Sequence, residues 1–163
     1  MTRNRPFTLA AGAATAALIA LAAIGCGGGS GSATVGIASS GLGEILVDSE
    51  GHTLYLFKKD SDAESACAGT CANAWPPLRA NGEPTLDGAA NPSLVATIRR
   101  PDGAPQVTYN GHPLYRYQGD QRPGNTAGQG STAYGAAWYA LSPAGNQVSS
   151  NGGASSYSGA SGY

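Results

Sequence analysis

The chain has 163 residues with 9 basic and 10 acidic side chains, a formal net charge of −1, and only 12% charged residues. That length suits one small domain, and without a basic stripe there is no electrostatic footprint for nucleic acid. Three cysteines and two histidines bound any metal or redox chemistry.

The first segment carries Arg3 and Arg5, then an alanine-rich apolar run from Phe7 to Ile24, then Gly25-Cys26. A charged start, an apolar run and a small residue before a cleavage point read as a secretory signal over residues 1–25. Ala23-Ile24-Gly25-Cys26 resembles a bacterial lipobox, which implies that Cys26 is acylated and becomes the mature N-terminus. The Gly/Ser run that follows makes 26–33 a flexible tether. The alternative is an uncleaved anchor, since the apolar run approaches the length of a spanning helix. Under either reading the body sits on the extracytoplasmic face, held to the cell membrane or outer envelope.

Next comes a pattern that occurs twice. Gly51-His52-x-Leu54-Tyr55-x-Phe57-x-x-Asp60 returns as Gly111-His112-x-Leu114-Tyr115-x-Tyr117-x-x-Asp120, and the same offset sets Val47 opposite Val107. Trp75-Pro-Pro-Leu78 answers Trp138-Tyr-Ala-Leu141 after a small insertion. In the first copy Val35–Ser39, Glu44–Asp48 and Thr53–Lys58 read as strands separated by Gly-containing turns. In the second, Val95–Arg99, Gln106–Tyr109 and Pro113–Tyr117 do so, and Asn110-Gly111 has the positive-φ chemistry of a type I′ hairpin. The expected fold is all-β: two pseudo-symmetric antiparallel β-meander repeats, 34–82 and 94–148, joined by a connector at 83–93 and packed into one small domain. A fourth strand near Trp75 or Trp138 is expected to complete each copy. Period two places Tyr55 and Phe57 on one strand face and Leu54 on the other. The aromatic face is expected to pack, and Leu54 and Leu114 to begin a second core face. Asp60 and Asp120, at the strand ends, suit capping of the turns that follow. Residues 149–163 have too few apolar side chains to order and read as a Gly/Ser tail.

Leu54-Tyr55-x-Phe57-x-x-Asp60, followed by Cys67-x-x-x-Cys71-x-x-x-Trp75-Pro76-Pro77, resembles the bacterial lipoproteins described as secreted repeats of unknown function. Those carry a Tyr-x-aromatic-x-x-Asp motif, usually twice. The resemblance covers the whole folded region and implies an exported, often lipid-anchored repeat domain with Tyr55, Phe57, Asp60, Tyr115, Tyr117, Asp120, Trp75 and Trp138 as structural motif positions. The cysteine pair and Pro-Pro occur in the first copy alone. No reaction, ligand or catalytic residue comes with the resemblance.

Cys67 and Cys71 are an even pair in an exported chain, which reads most simply as a disulfide closing a short loop. The sharper alternative is a copper or zinc site in which both thiolates are joined by His52 or His112. Each histidine follows a hairpin glycine, a place that also suits an exposed turn residue. No Gly-x-Ser-x-Gly elbow is present, and Glu44, Asp48 and Glu50 read as the solvated side of one hairpin. No catalytic residue and no cofactor is expected. The function expected is a lipid-anchored, non-catalytic binding or structural module of the cell envelope, with the membrane and an envelope protein or glycan as partners. The alternative is a redox or copper-handling accessory protein using Cys67 and Cys71 with a histidine.

Overall fold

The structure, a computed structural model, describes Met1 and residues 32–61 and 64–149. The expected signal, Cys26 and residues 150–163 of the tail lie outside the described residues. The described region is all-β. Strands β1 (Thr34–Ser40) and β2 (Gly43–Val47) form one antiparallel hairpin, and β4 (Thr85–Leu86) pairs with β1 in parallel. Strands β5 (Val95–Arg99), β6 (Pro105–Tyr109) and β7 (His112–Pro113) form a second antiparallel sheet. Strand β3 (Tyr55–Phe57) pairs with β8 (Trp138–Ala140), and a five-residue helix, α1 (Thr70–Ala74), precedes Trp75. The segment read as a connector supplies β4, where Thr34 Oγ1 lies 2.8 Å from Thr85 Oγ1.

Asn110 (φ 50°) and Gly111 (φ 79°) make the type I′ turn expected between β6 and β7. The corresponding loop of the first copy is one residue longer, with the Asp48 N–H donating to the His52 carbonyl at 2.9 Å across Ser49-Glu50-Gly51. The preceding hairpin turn differs the other way. Ser40 pairs with Gly43 across two residues, whereas Arg100 donates to Ala104 across three. These insertions compensate, so the two copies return to register by Leu54 and Leu114. Between them the offset is one residue greater, and this corrects the expected match of Val47 with Val107. Leu46 is the counterpart of Val107: each accepts the backbone N–H of the leucine that opens the motif, Leu54 at 2.9 Å and Leu114 at 3.0 Å.

The expected fourth strand does not complete its own copy. Leu78, from the first copy, donates to Leu114 (2.8 Å) and accepts from Val107 (2.9 Å). Leu141, from the second, donates to Leu54 (3.3 Å) and accepts from Leu46 (2.9 Å). Between these exchanged segments Tyr55 and Tyr115 bond each other in both directions, at 2.8 and 3.0 Å. The exchange is less regular on one side because Pro76 and Pro77 have no N–H to give. Arg116 therefore donates to Pro76 (2.9 Å) without a reply, and Tyr115 forms only isolated bridges, to Tyr55 and Pro77, where β3 and β8 form a ladder.

Alternation along the motif divides the core in two. Leu46, Leu54, Leu56, Leu78, Val107, Leu114 and Leu141 fill an aliphatic cluster. Tyr55, Phe57, Trp75, Tyr115 and Trp138 fill an aromatic one with Cys67 and Cys71. Neither copy can bury its face without the other's closing segment. Leu78→Ala and Leu141→Ala should each destabilise the domain by about 2–5 kcal/mol, as truncations in a packed core do. Both should shift one cooperative denaturation curve monitored by circular dichroism. Two separable transitions, each sensitive to only one of these changes, would contradict the exchange.

Candidate functional site

The motif aspartates accept hydrogen bonds from the opposite copy's tyrosine. The Tyr55 hydroxyl donates to Asp120 Oδ2 at 2.5 Å, and the Tyr115 hydroxyl donates to Asp60 Oδ2 at 2.8 Å. The second oxygen of each aspartate accepts a backbone N–H from the loop that follows, Ala66 at 2.7 Å and Ala127 at 2.8 Å. Burial pushes Asp60 up to about 6, against the Ala66 N–H, the Tyr115 hydroxyl and the Arg100 charge, all of which favour the carboxylate. Asp120 is raised for the same first reason, and burial together with the aspartate neighbours holds both phenols above the usual tyrosine range.

Arg100 is buried where the first copy has the half-buried Ser40. It donates to Gln106 Oε1 (2.7 Å), to the Cys67 carbonyl (2.7 Å) and to Ser65 Oγ, which lies 2.7 Å from the Tyr115 hydroxyl. Sequence reasoning missed this network. An arginine on a strand beside Pro-Asp-Gly reads as solvated, and no local spacing announces that it turns inward.

The motif aromatics form a column rather than an open stacking surface. Trp75 and Trp138 stack at 3.9 Å, with Phe57 stacked on Trp138 at 4.0 Å and Tyr117 on Trp75 at 4.3 Å. Tyr55 and Tyr115 meet Trp75 and Trp138 edge-on, at 5.4 and 5.2 Å. The loop between Asp120 and Trp138 comes close enough that a Cβ on Gly128 would lie 2.7 Å from the Trp75 ring. Cys67 and Cys71 are joined in a disulfide with Cα atoms 5.3 Å apart, inside this cluster. In that oxidised form neither sulfur is a thiolate, so copper handling would have to begin with reduction.

The histidines occupy equivalent positions with different surroundings. His112 opens β7 and pairs with Tyr109. His52 Nδ1 lies 3.4 Å from both Asp48 Oδ2 and Glu50 Oε2. Among the described residues, the side chains grouped closely enough to hold a metal are Asp48, Glu50 and His52, not the cysteines with a histidine. The same carboxylates face a cation already, since Arg116 Nη1 is 3.3 Å from Asp48 and 3.7 Å from Glu50. Glu44 and Glu50 are exposed as expected, but Asp48 is not solvated. It is 6% exposed, and its Oδ1 accepts the backbone N–H groups of Glu50 and His52, both at 2.9 Å.

Beside this cluster opens a polar groove of about 460 Å³. Asp48, Glu50, Arg79 and Arg116 supply its charges, Asn73 and Asn81 its amides, and Pro76, over the buried Pro77 and Leu78, its apolar lining. A second hollow of about 300 Å³ shares Pro76 and Arg116 and adds His52, Tyr117 and Asp120. Arg116 is the hinge between them. It stands where the first copy has buried Leu56, a difference visible in the aligned motifs. Asp48 likewise stands where the second copy has buried Tyr109.

Two outcomes follow from this chemistry. Asp60 holds its proton more tightly folded than unfolded, so its contribution to stability is present below the ordinary carboxylate range and is lost as pH rises through about 6. The denaturation midpoint of the wild-type chain relative to Asp60→Asn should therefore fall between pH 4 and pH 7, roughly spanning the two titrations; a rise would reverse the assignment. Replacing both Cys67 and Cys71 by Ser should cost about 2 kcal/mol and leave the domain folded, because the closed loop is short. Loss of all structure by circular dichroism would show that the bridge holds more than its loop.

Comparison with curated proteins and with solved structures returns no match. Among the described residues no helix is long and apolar enough to cross a membrane. The family described as a secreted repeat of unknown function matches residues 36–79 and residues 96–142, one segment for each copy and together more than half of the chain. Its two matches span the two hairpins, both tyrosine–aspartate motifs and both closing leucines, and the chain belongs to this family of secreted repeats.

Proposed function

We propose that this protein is an exported, lipid-anchored, non-catalytic binding module that holds its polar groove out from the envelope surface on a short tether. The observation that carries the reading is where the copies differ. Most positions that maintain the fold repeat, the tyrosines, the aspartates, the tryptophans and the closing leucines, while the Arg100 network and the Cys67–Cys71 bridge belong to the core of one side. Asp48, Arg116 and Pro76-Pro77 depart from their counterparts, and all line one groove or its continuation. Burying a carboxylate and half-burying a guanidinium cost desolvation that the apolar counterparts Tyr109 and Leu56 avoid. Ligand recognition accounts for that cost better than folding does.

Anchoring is supported by Gly25-Cys26 after the apolar run and by membership of a secreted family. Mass spectrometry of the mature N-terminus should find Cys26 acylated, and Cys26→Ser should release the protein or block its processing. A mature chain that retains Arg3 through Gly25 would sink the anchor. For binding, the full chain carrying Cys26→Ser should co-sediment with washed, protein-stripped envelope material, and adding Arg116→Leu should abolish this while circular dichroism shows the fold retained. Equal sedimentation of both forms would remove the groove from the function.

A further inference from the structure

We propose that the groove is a saccharide site that takes an uncharged, hydroxyl-rich glycan chain, with Arg116, held from beneath by Asp48, and the exposed Glu50 as its central pair. The inference rests on the binding-module reading and names its ligand class.

Charge decides first against simple ions. Asp48 and Glu50 face Arg116, and Arg79 is already paired with Asp102 at 3.2 Å, so each cation of the groove has a carboxylate beside it and neither sign stands unopposed. An anion seeking Arg116 would have to displace the carboxylates at 3.3 and 3.7 Å, and a cation seeking those carboxylates would have to displace the guanidinium. An uncharged ligand displaces neither.

What remains on offer is hydrogen bonding of both kinds, side by side. A guanidinium has five N–H donors and no acceptor, whereas a carboxylate only accepts. Arg116 turns Nη1 toward the acids and is 39% exposed, and Glu50 is 66% exposed, so donor and acceptor capacity are both left over at the groove wall. Asn73 and Asn81, both exposed, add amides that donate and accept. A sugar hydroxyl does both at once, so neighbouring hydroxyls on a ring match neighbouring guanidinium and carboxylate groups better than any ligand with one kind of polar atom. Pro76, half-buried at the wall where the groove and the hollow meet, supplies the apolar surface on which the C–H face of a sugar ring rests.

Shape agrees. The groove and the adjoining hollow, about 460 and 300 Å³, meet at Pro76 and Arg116, so the site is elongated rather than a closed pit. Their size lies in the range of ordinary small-molecule sites, and an elongated site suits a chain of several rings.

The test is titration calorimetry of the full chain carrying Cys26→Ser, using defined probes: trimeric chito-, cello- and malto-oligosaccharides, a trimeric uronate and inorganic phosphate. At least one neutral trimer should bind saturably, more tightly than its monosaccharide, with affinity nearly unchanged by salt. Arg116→Leu should weaken it at least about tenfold with the fold retained by circular dichroism, and Asn81→Ala, at an exposed position, should weaken it without risk to the fold. Binding of only the uronate or phosphate, declining with salt, would overturn the neutral class. Failure of every saccharide while Arg116-dependent sedimentation with envelope material persists would overturn the ligand class and leave the binding module standing. Failure of both would overturn the two together.

Discussion

Tyr55 and Tyr115 bond each other through both backbone groups at the centre of the molecule, and each then passes its hydroxyl to the other copy's aspartate. This pairing fixes the orientation of everything around it. With the two motif strands antiparallel at one point, Leu54 and Leu114 lie on one side and Phe57 and Tyr117 on the other. The segments that end in Leu78 and Leu141 can then reach only the opposite copy. The stacked indoles of Trp75 and Trp138 follow, since each tryptophan lies three residues before its exchanged leucine.

The buried polar groups make this arrangement particular rather than merely compact. An aspartate raised to about 6 is a poor way to gain stability, because ionising it under cover opposes folding at neutral pH. It is tolerable because the Tyr115 hydroxyl and the Ala66 N–H meet the carboxylate, with Arg100 and Ser65 extending the network. A slipped pairing of the motif strands would strand those groups without partners, which costs more than a slipped apolar contact. The tyrosine–aspartate contacts thus penalise wrong registers.

Much of this was legible from local pattern. Alternation placed leucines and aromatics on opposite faces, which became the two core clusters, and Asn110-Gly111 announced its turn. An even cysteine pair in an exported chain pointed to the bridge that closes between Cys67 and Cys71. What local pattern could not carry was partnership at a distance. Leu78 follows the first copy in the chain and so invites pairing within it, yet its hydrogen bonds go to Val107 and Leu114. The two compensating insertions hid the shift of Leu46 against Val107, because an alignment that agrees at both ends looks constant throughout. Asp48 was misread because an acid in a hairpin loop is commonly solvated, whereas this one is bound by two backbone N–H groups beneath Arg116. Of the groove, Arg116 could be singled out as a break in the repeat, but no sequence feature says which other breaks share its surface.

The exchange of closing segments carries a further consequence for what one repeat is. Taken alone, a single copy would leave the Leu46–Leu54 pair without the strand that caps it, an open edge of the kind that recruits another chain. It could close only by trading its final segment with a second molecule, as domain-swapped dimers do. The two-copy chain is that trade made within one polypeptide. The connector holds the partners at a high effective concentration and removes the dependence of folding on how many molecules are nearby. It also frees the two halves to diverge, because a covalent pair need not present the same face twice. Arg116 opposite Leu56 is that freedom in use.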